Sequence, residues 1–380
     1  MSEQQNFMDI TKSRDKKIVQ TSIVGIVANV FLAAFKAIIG VISHSVAITM
    51  DAVNNISDAA SSVITIVGTK LAGKEADKKH PFGYGRIEYL SAMIISILVL
   101  YAGITAFVES VKKIITPDTP DYSAVSLIIV AVAVVVKIVL GRYVKSVGKK
   151  VNSDSLINSG ADATLDSIIS ASTLVAAGIY LIFHISLEAY LGAIIALVII
   201  KSGVDMLRET LSKILGESAD ADMAKEIKQT VISHPEITGA YDLVLHNYGP
   251  DTFQGSVHIE VPDTLSADEL DQLIRQVTED VFAKHKVILT AVGVYSVNTK
   301  EPEAATAREK VRSIALSHDY ILQLHGFYVD FETKKMRFDL VVSFDAPNRQ
   351  EAFSAAYAEI KEAFPDFEIQ AIMDTDFAEQ

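Results

Sequence analysis

The chain is 380 residues long, half of them hydrophobic, with no cysteine and a formal net charge of −13. Without cysteine there are no disulfides and no thiolate metal sites, so any bound metal must be held by oxygen or imidazole. The charge is uneven: residues 1–210 hold 19 Lys and Arg against 17 Asp and Glu, and residues 211–380 hold 15 against 30. An acidic second half repels phosphate, which argues against nucleic acid as a partner. The simplest effect of that acidity is to keep the second half in solution.

Residues 1–17 are polar and of mixed charge, and read as a cytoplasmic leader instead of a cleaved signal. Six apolar stretches follow, at Ile18–Ile42, Val46–Leu71, Tyr89–Val111, Ser123–Val144, Leu156–Phe183 and Leu187–Leu207. Each is long enough to cross about 30 Å of hydrocarbon as a helix, the form in which a lipid-embedded backbone satisfies its own hydrogen bonds. The first domain is therefore expected over residues 18–210 as a six-transmembrane-helix bundle. Lys and Arg gather before the first span (Lys12, Arg14, Lys16, Lys17) and in alternate loops (Lys70–Arg86 and Arg142–Lys150), with Arg208 and Lys213 after the sixth. The positive-inside rule then puts both termini in the cytoplasm of a multi-pass cell-membrane protein. Lys36 and Lys137 fall inside spans, and are read as snorkelling toward an interface.

Beyond residue 211 the periodicity changes. Helix is predicted over 219–233, strands over Ile237–Tyr248 and Phe253–Val261, helix over 266–284 and a strand over Val287–Val297. A linker around Pro302 leads into the same order again: helix 303–316, strands Gln323–Phe331 and Met336–Phe344, helix 349–363, strand Phe367–Met373. This predicts a cytoplasmic tail of two ferredoxin-like α-β-β-α-β domains, at 211–299 and 300–380, related by duplication.

Two spans carry residues that a lipid-facing helix avoids. The second contains Asp51, Asn54, Asn55, Ser57 and Asp58, and the fifth contains Asn158, Asp162 and Asp166. Residues four apart share a helix face, so Asn54 projects with Asp58, and Asp162 with Asp166. A carboxylate at the bilayer centre costs at least about 2.5 kcal/mol, and needs a cation, a proton or water to compensate it. If the two stripes face each other, three carboxylates and an amide oxygen surround a space suited to a hard divalent cation. The competing reading is a hydrogen-bonded polar seam with protonated acids. Asp51 lies a turn farther out, in position to cap or brace the helix; His44 and His184, at outer helix ends, have no nameable partner.

The second span from Ser45 to Asp58, the run Asp77, His80, Pro81, Phe82, Gly83, Tyr84, Gly85, Arg86 and Glu88, and the Asp162/Asp166 pair together resemble the cation diffusion facilitator family of metal exporters. The resemblance covers about residues 10–299, and the second tail domain lies beyond it. It implies a homodimer that is a secondary transporter, not an enzyme. Each protomer would exchange cytoplasmic metal for protons by alternating access through a site at Asn54, Asp58, Asp162 and Asp166. Zinc exporters of the family usually carry His at the position of Asp162. An imidazole-free set suits Mn²⁺, which prefers oxygen donors, so the manganese-exporting branch is expected, with Fe²⁺ and Zn²⁺ as the other cargoes. The resemblance also marks a loop site at Asp77 and His80, with Tyr84 where a second His often stands. In the tail it marks a site at His258, with Tyr241 and Tyr295 in place of His and Asp271 near a further ligand position. The alternative from another class is a membrane-tethered metal sensor, whose bundle serves only as an anchor. No nucleophile–base pair, phosphate-cradling Gly loop or zinc-hydrolase motif supports an enzyme.

Overall fold

The computed structural model describes residues 2–42, 46–116, 124–183, 188–217, 221–250 and 252–377. It divides into two compact units, one of Met1–Glu217 with Tyr248–Asp251 and the other of Ser218–Asn247 with Thr252–Gln380.

The first unit is built from six long helices: α1 (Ser2–Ile42), α2 (Val46–Ala72), α3 (Ile87–Ile115), α4 (Ala124–Lys150), α5 (Asp154–Phe183) and α6 (Glu188–Leu215). Several run past the apolar stretches that predict them, because no breaker stands where the sequence turns polar; α4, for example, continues through Lys149 and Lys150. The main pairings are α1 with α2, α3 with α6, and α4 with α5. Among the described residues, four helical segments are long and apolar enough to cross a membrane: Ser13–Ile38, Ile87–Ile115, Leu127–Lys150 and Ala189–Leu215. Helices α2 and α5, of similar length, are the two that carry the acidic stripes.

The distribution of side chains is inverted relative to a water-soluble bundle. Val27, Phe31, Ile38, Tyr101 and Val139 are exposed, whereas Ser22, Asn29, Asn55, Ser62, Thr65, Ser96 and Asn158 are buried. Apolar surface of this extent in water would drive association, whereas lipid solvates it, and buried small polar residues then hold the helices together. Helices α4 and α5 approach closely through glycine: a Cβ on Gly141 would meet the Gly160 carbonyl at 2.9 Å, and one on Gly160 would meet the Lys145 amide nitrogen at 2.5 Å.

The second unit contains two modules of the same order. The first is α7 (Ala221–Ile232), β1 (Gly239–Asn247), β2 (Phe253–Pro262), α8 (Ala267–His285) and β3 (Val287–Val297). The second is α9 (Pro302–Ala315), β4 (Ile321–Asp330), β5 (Lys335–Val342), α10 (Arg349–Ala363) and β6 (Glu368–Asp374). Each has a three-stranded sheet with its second strand in the middle, antiparallel to the first and parallel to the third. The right places were legible because strands such as Val287–Val297 are rich in β-branched residues and the helices carry start signals. Ser266 and Glu269 form a reciprocal capping box at the head of α8. Each module has its own apolar core: Ile227, Val257, Ile259 and Val277 centre the first, and Val311, Phe338, Leu340 and Ile360 the second. The modules are joined by partly buried polar contacts. Arg308 on α9 donates to both oxygens of Glu260 on β2, at 3.0 and 3.1 Å, and Glu260 is 2% exposed. Asn298 and the backbone of Val329 exchange hydrogen bonds of 2.9 and 3.0 Å.

Candidate metal-binding sites

In the helical unit the acidic residues of α2 and α5 converge on a cation that belongs to the chain. The Lys137 ammonium, on α4, lies 2.7 Å from Asp58 Oδ2 and also contacts the Asp166 carboxylate. Asp162, one turn before Asp166, is within electrostatic range of both Asp58 and Lys137. The side chain of Asn54 lies outside the described residues, as do those of Asp51, His44 and His184; the backbone of Asn54 is part of α2, one turn before Asp58. Asn158, one turn before Asp162 on α5, is engaged by α3. Its amide donates to the Ala92 carbonyl at 3.2 Å and to Ser96 Oγ at 3.0 Å, both on α3.

The snorkelling expected of Lys36 and Lys137 is corrected. Both are buried inside the helical unit, 1% and 2% exposed. Lys137 stands on the buried stripe of α4, at helical spacing with Ile129, Ala133, Leu140 and Val144, and Lys36 stands on that of α1 with Ser22, Gly25, Asn29 and Leu32. Position along a span says how far a side chain is from the interface, and the stripe says which way it faces. The exposed face of α4 is as apolar as the buried one (Ile128, Val132, Val139), so the stripe emerges only from the packing, which decides the matter. With all four groups ionised, Asp58, Asp162, Asp166 and Lys137 carry a net formal charge of −2, the complement of one divalent cation.

Near one end of the same bundle, a second buried charge is bound internally. Arg14 on α1 donates to Glu88 on α3 at 3.0 Å, and to the Val151 and Asn152 carbonyls at 2.7 and 2.8 Å. Glu88 is 1% exposed. This ties α1, α3 and the α4–α5 turn together and leaves the carboxylate engaged.

The Asp77–His80 loop is held by its own hydrogen bonds. Asp77 Oδ1 accepts from the Lys79 and His80 amides, both at 2.9 Å, and Oδ2 accepts from the Tyr84 hydroxyl at 2.7 Å and from Lys74 at 3.2 Å. The Tyr84 hydroxyl first, and then the His80 amide, holds the Asp77 carboxyl well below the usual carboxylate range. His80 Nδ1 is 3.5 Å from Asp77 Oδ1. The structure thus brings Asp77, His80 and Tyr84 together as a loop staple, and a metal at Asp77 would have to displace donors already in place.

In the tail, His258 Nδ1 lies 2.9 Å from Asp242 Oδ2, and the Tyr295 ring stacks on the His258 ring with centroids 4.8 Å apart. Tyr241 lies against His325 instead, at 4.8 Å. Asp271 is on the exposed face of α8, paired with Arg275 at 2.8 Å, and is not among these groups. Asp242 and His325 are the residues the sequence reading missed. Asp242 sits in a bulge of β1, and His325 comes from the second module. Burial disfavours the His325 cation, but the carboxylates of Asp242, Asp374 and Asp339 outweigh it and hold the imidazole up at about 9.

Long apolar helices around a polar interior that buries charged side chains define a class: a polytopic membrane transport protein. Residues 22–215 match the cation efflux transmembrane domain and residues 219–292 the cytoplasmic domain of cation efflux proteins, so the chain belongs to the cation efflux family, the cation diffusion facilitators. It is similar to the manganese efflux system protein MneS of Bacillus subtilis, 30% identical over 67% of this chain and 85% of the relative. The magnetosome protein MamB of Magnetospirillum gryphiswaldense is 26% identical over 67% of this chain and 85% of its own length. The cation-efflux pump FieF of Citrobacter koseri is 25% identical over 63% and 80%. The chain is therefore a divalent-cation efflux transporter of the membrane, not an enzyme, and its match to a dimerisation domain supports a homodimer. The family matches end at residue 292, before the second tail module begins.

Proposed function

We propose that this protein exports Mn²⁺ across the cell membrane in exchange for protons, by alternating access in a homodimer, with all six long helices crossing the bilayer and both termini in the cytoplasm. The metal is held by Asn54, Asp58, Asp162 and Asp166. The observation that carries this reading is the Lys137 ammonium between Asp58 and Asp166: carboxylates from two different helices converge on a point already occupied by positive charge. Lys137 is the resident counter-ion, displaced sideways when metal loads. Its charge lets three carboxylates coexist in a low-dielectric interior, and it leaves the site neutral once a divalent ion is bound.

The assignment to Mn²⁺ rests on an imidazole-free donor set. Mn²⁺ is at the weak end of the divalent affinity order, so a site for it works by omitting the softer donors that favour competitors. The relatives named for manganese efflux are consistent with this, and Fe²⁺ and Zn²⁺ are the alternative cargoes. The test is Mn²⁺ flux into proteoliposomes with pH followed on both sides. Asp58→Asn and Asp162→Asn are each expected to cut flux by at least about tenfold, since each removes a charged donor in a buried site. Flux at the wild-type rate in both would remove the site. A membrane-tethered sensor would move no metal at all.

A further inference from the structure

We propose that Asp242, His325 and Asp374 form a second divalent-metal site, built across the two tail modules and selective for a first-row cation that accepts mixed imidazole and carboxylate donors. This site does not depend on the transport site in the helical unit.

The ligand atoms are already placed. His325 Nε2 is 3.0 Å from Asp242 Oδ1 and 3.3 Å from Asp374 Oδ2, and the three groups offer ligand atoms within 4.8 Å of one another. Donors bound to one first-row ion at about 2.0–2.2 Å stand about 3–3.5 Å apart, which matches the two distances from His325. Asp339 Oδ2, 4.0 Å from the same nitrogen, lies next to the group as a third carboxylate.

The directions of the donors point the same way. His325 is 0% exposed, yet neither of its ring nitrogens makes a hydrogen bond, and Asp374 Oδ2 makes none either. An ion pair is satisfied when an N–H aims at an oxygen. Here nitrogen and oxygen are close without that alignment, and a metal ion at their common point would take the place of the imidazole proton. Buried polar atoms are almost always satisfied, so such a cluster needs an occupant.

The surroundings are those of a supported site. Asp242 presents one oxygen to His325, and its other oxygen lies 2.9 Å from His258 Nδ1 and accepts from the Tyr295 hydroxyl at 2.7 Å. Tyr295 also bonds Asp339 Oδ2 at 2.8 Å. Such outer contacts fix the orientation of ligating groups. Irregular backbone delivers both central residues. Asp242 has a left-handed φ of 51° in the β1 bulge, and His325 precedes Gly326, whose φ is 64°. A Cβ at Gly326 would meet the Tyr295 ring at 2.9 Å, so only glycine permits the approach. Bulges that re-aim side chains are a recurrent device at functional sites. Two of the three donors come from the module beyond the family's cytoplasmic domain, so metal at this position would couple the two modules.

The test uses full-length protein in detergent carrying Asp58→Asn and Asp162→Asn, so that the helical site is silenced. It is titrated with Mn²⁺ alone and, separately, with Zn²⁺ alone. The expected result is one bound equivalent per chain of at least one of the two metals. Bound Mn²⁺ would show nitrogen hyperfine coupling, which the imidazole-free helical site cannot supply. His325→Gln is expected to abolish the nitrogen coupling and weaken binding about tenfold or more. Asp374→Asn, at a strand end and partly exposed, is expected to weaken binding similarly while leaving the circular dichroism of the protein unchanged. No bound equivalent of either metal, or an equivalent that persists in both variants, overturns the proposal. So does a protein whose melting temperature falls in both variants without metal and does not rise with metal in the parent, which is the behaviour of a protonated His325 clamped by carboxylates. Loss of transport in the silenced background, with tail binding retained, leaves the inference standing.

Discussion

At the scale of the residue, the helical site turns on Lys137. Removing it strands three carboxylates, and charge of this kind is the costliest thing a membrane interior can hold. If the ammonium competes with the cargo, Lys137→Met is expected to lower KM for Mn²⁺ severalfold and also to lower the maximal rate, because release then lacks its replacement cation. KM unchanged in protein that still inserts and folds would mean that Lys137 only braces the helices. Donor hardness is tested at Asp162. Asp162→His is expected to raise the ratio of Zn²⁺ to Mn²⁺ transport about tenfold, since imidazole favours zinc more than manganese; an unchanged ratio would place selectivity elsewhere. The acidic stripes were legible because Asp58, Asp162 and Asp166 sit where hydrocarbon forbids them. The lysine was harder to read. A long flexible side chain has two plausible destinations, and only the buried stripe Ile129, Ala133, Lys137, Leu140 selects one.

At the scale of the element, the tail was read within a few residues because its signals are local. Ser266 and Glu269 show this most directly: the Ser266 side chain accepts from the Glu269 amide, and the Glu269 carboxylate returns to the Ser266 amide at 2.8 Å. Ser266→Ala is expected to cost about 1 kcal/mol of stability, seen as a lower melting temperature, because the Glu269 amide at the head of α8 loses its acceptor. What local signals did not show was the bulges. The strand around Asp242 alternates well enough to be assigned, but a one-residue irregularity changes which side chains face inward, and no residue in β1 announces it. The tail cluster was missed for that reason, and because its donors lie on strands separated by most of a module.

At the scale of the molecule, the second module is structural support for the first as well as an appendage to it. Glu260 is buried on β2 and its charge is met by Arg308 from α9. Truncation after Lys300 would leave that carboxylate without its guanidinium. The truncated protein is expected to lose stability in its remaining module, and Arg308→Ala in the full chain is expected to reproduce about 2 kcal/mol of the loss, the cost of uncoupling a partly screened buried pair. Chemical denaturation of the two proteins checks this; equal stability of truncated and intact tails would show that the modules are independent.

The glycine crossing of α4 and α5 bears on how the proposed transport site can change shape. The Gly141 and Gly160 backbones pack together with no room for a side chain between them, whereas α2 meets α5 over only a short stretch. In the proposed mechanism, the motion that exposes the cargo to the opposite side would run along the seam between α2 and the α4–α5 pair. Lys137 and Asp166 then ride as passengers on one side of that seam, and Asp58 is carried away from them on the other.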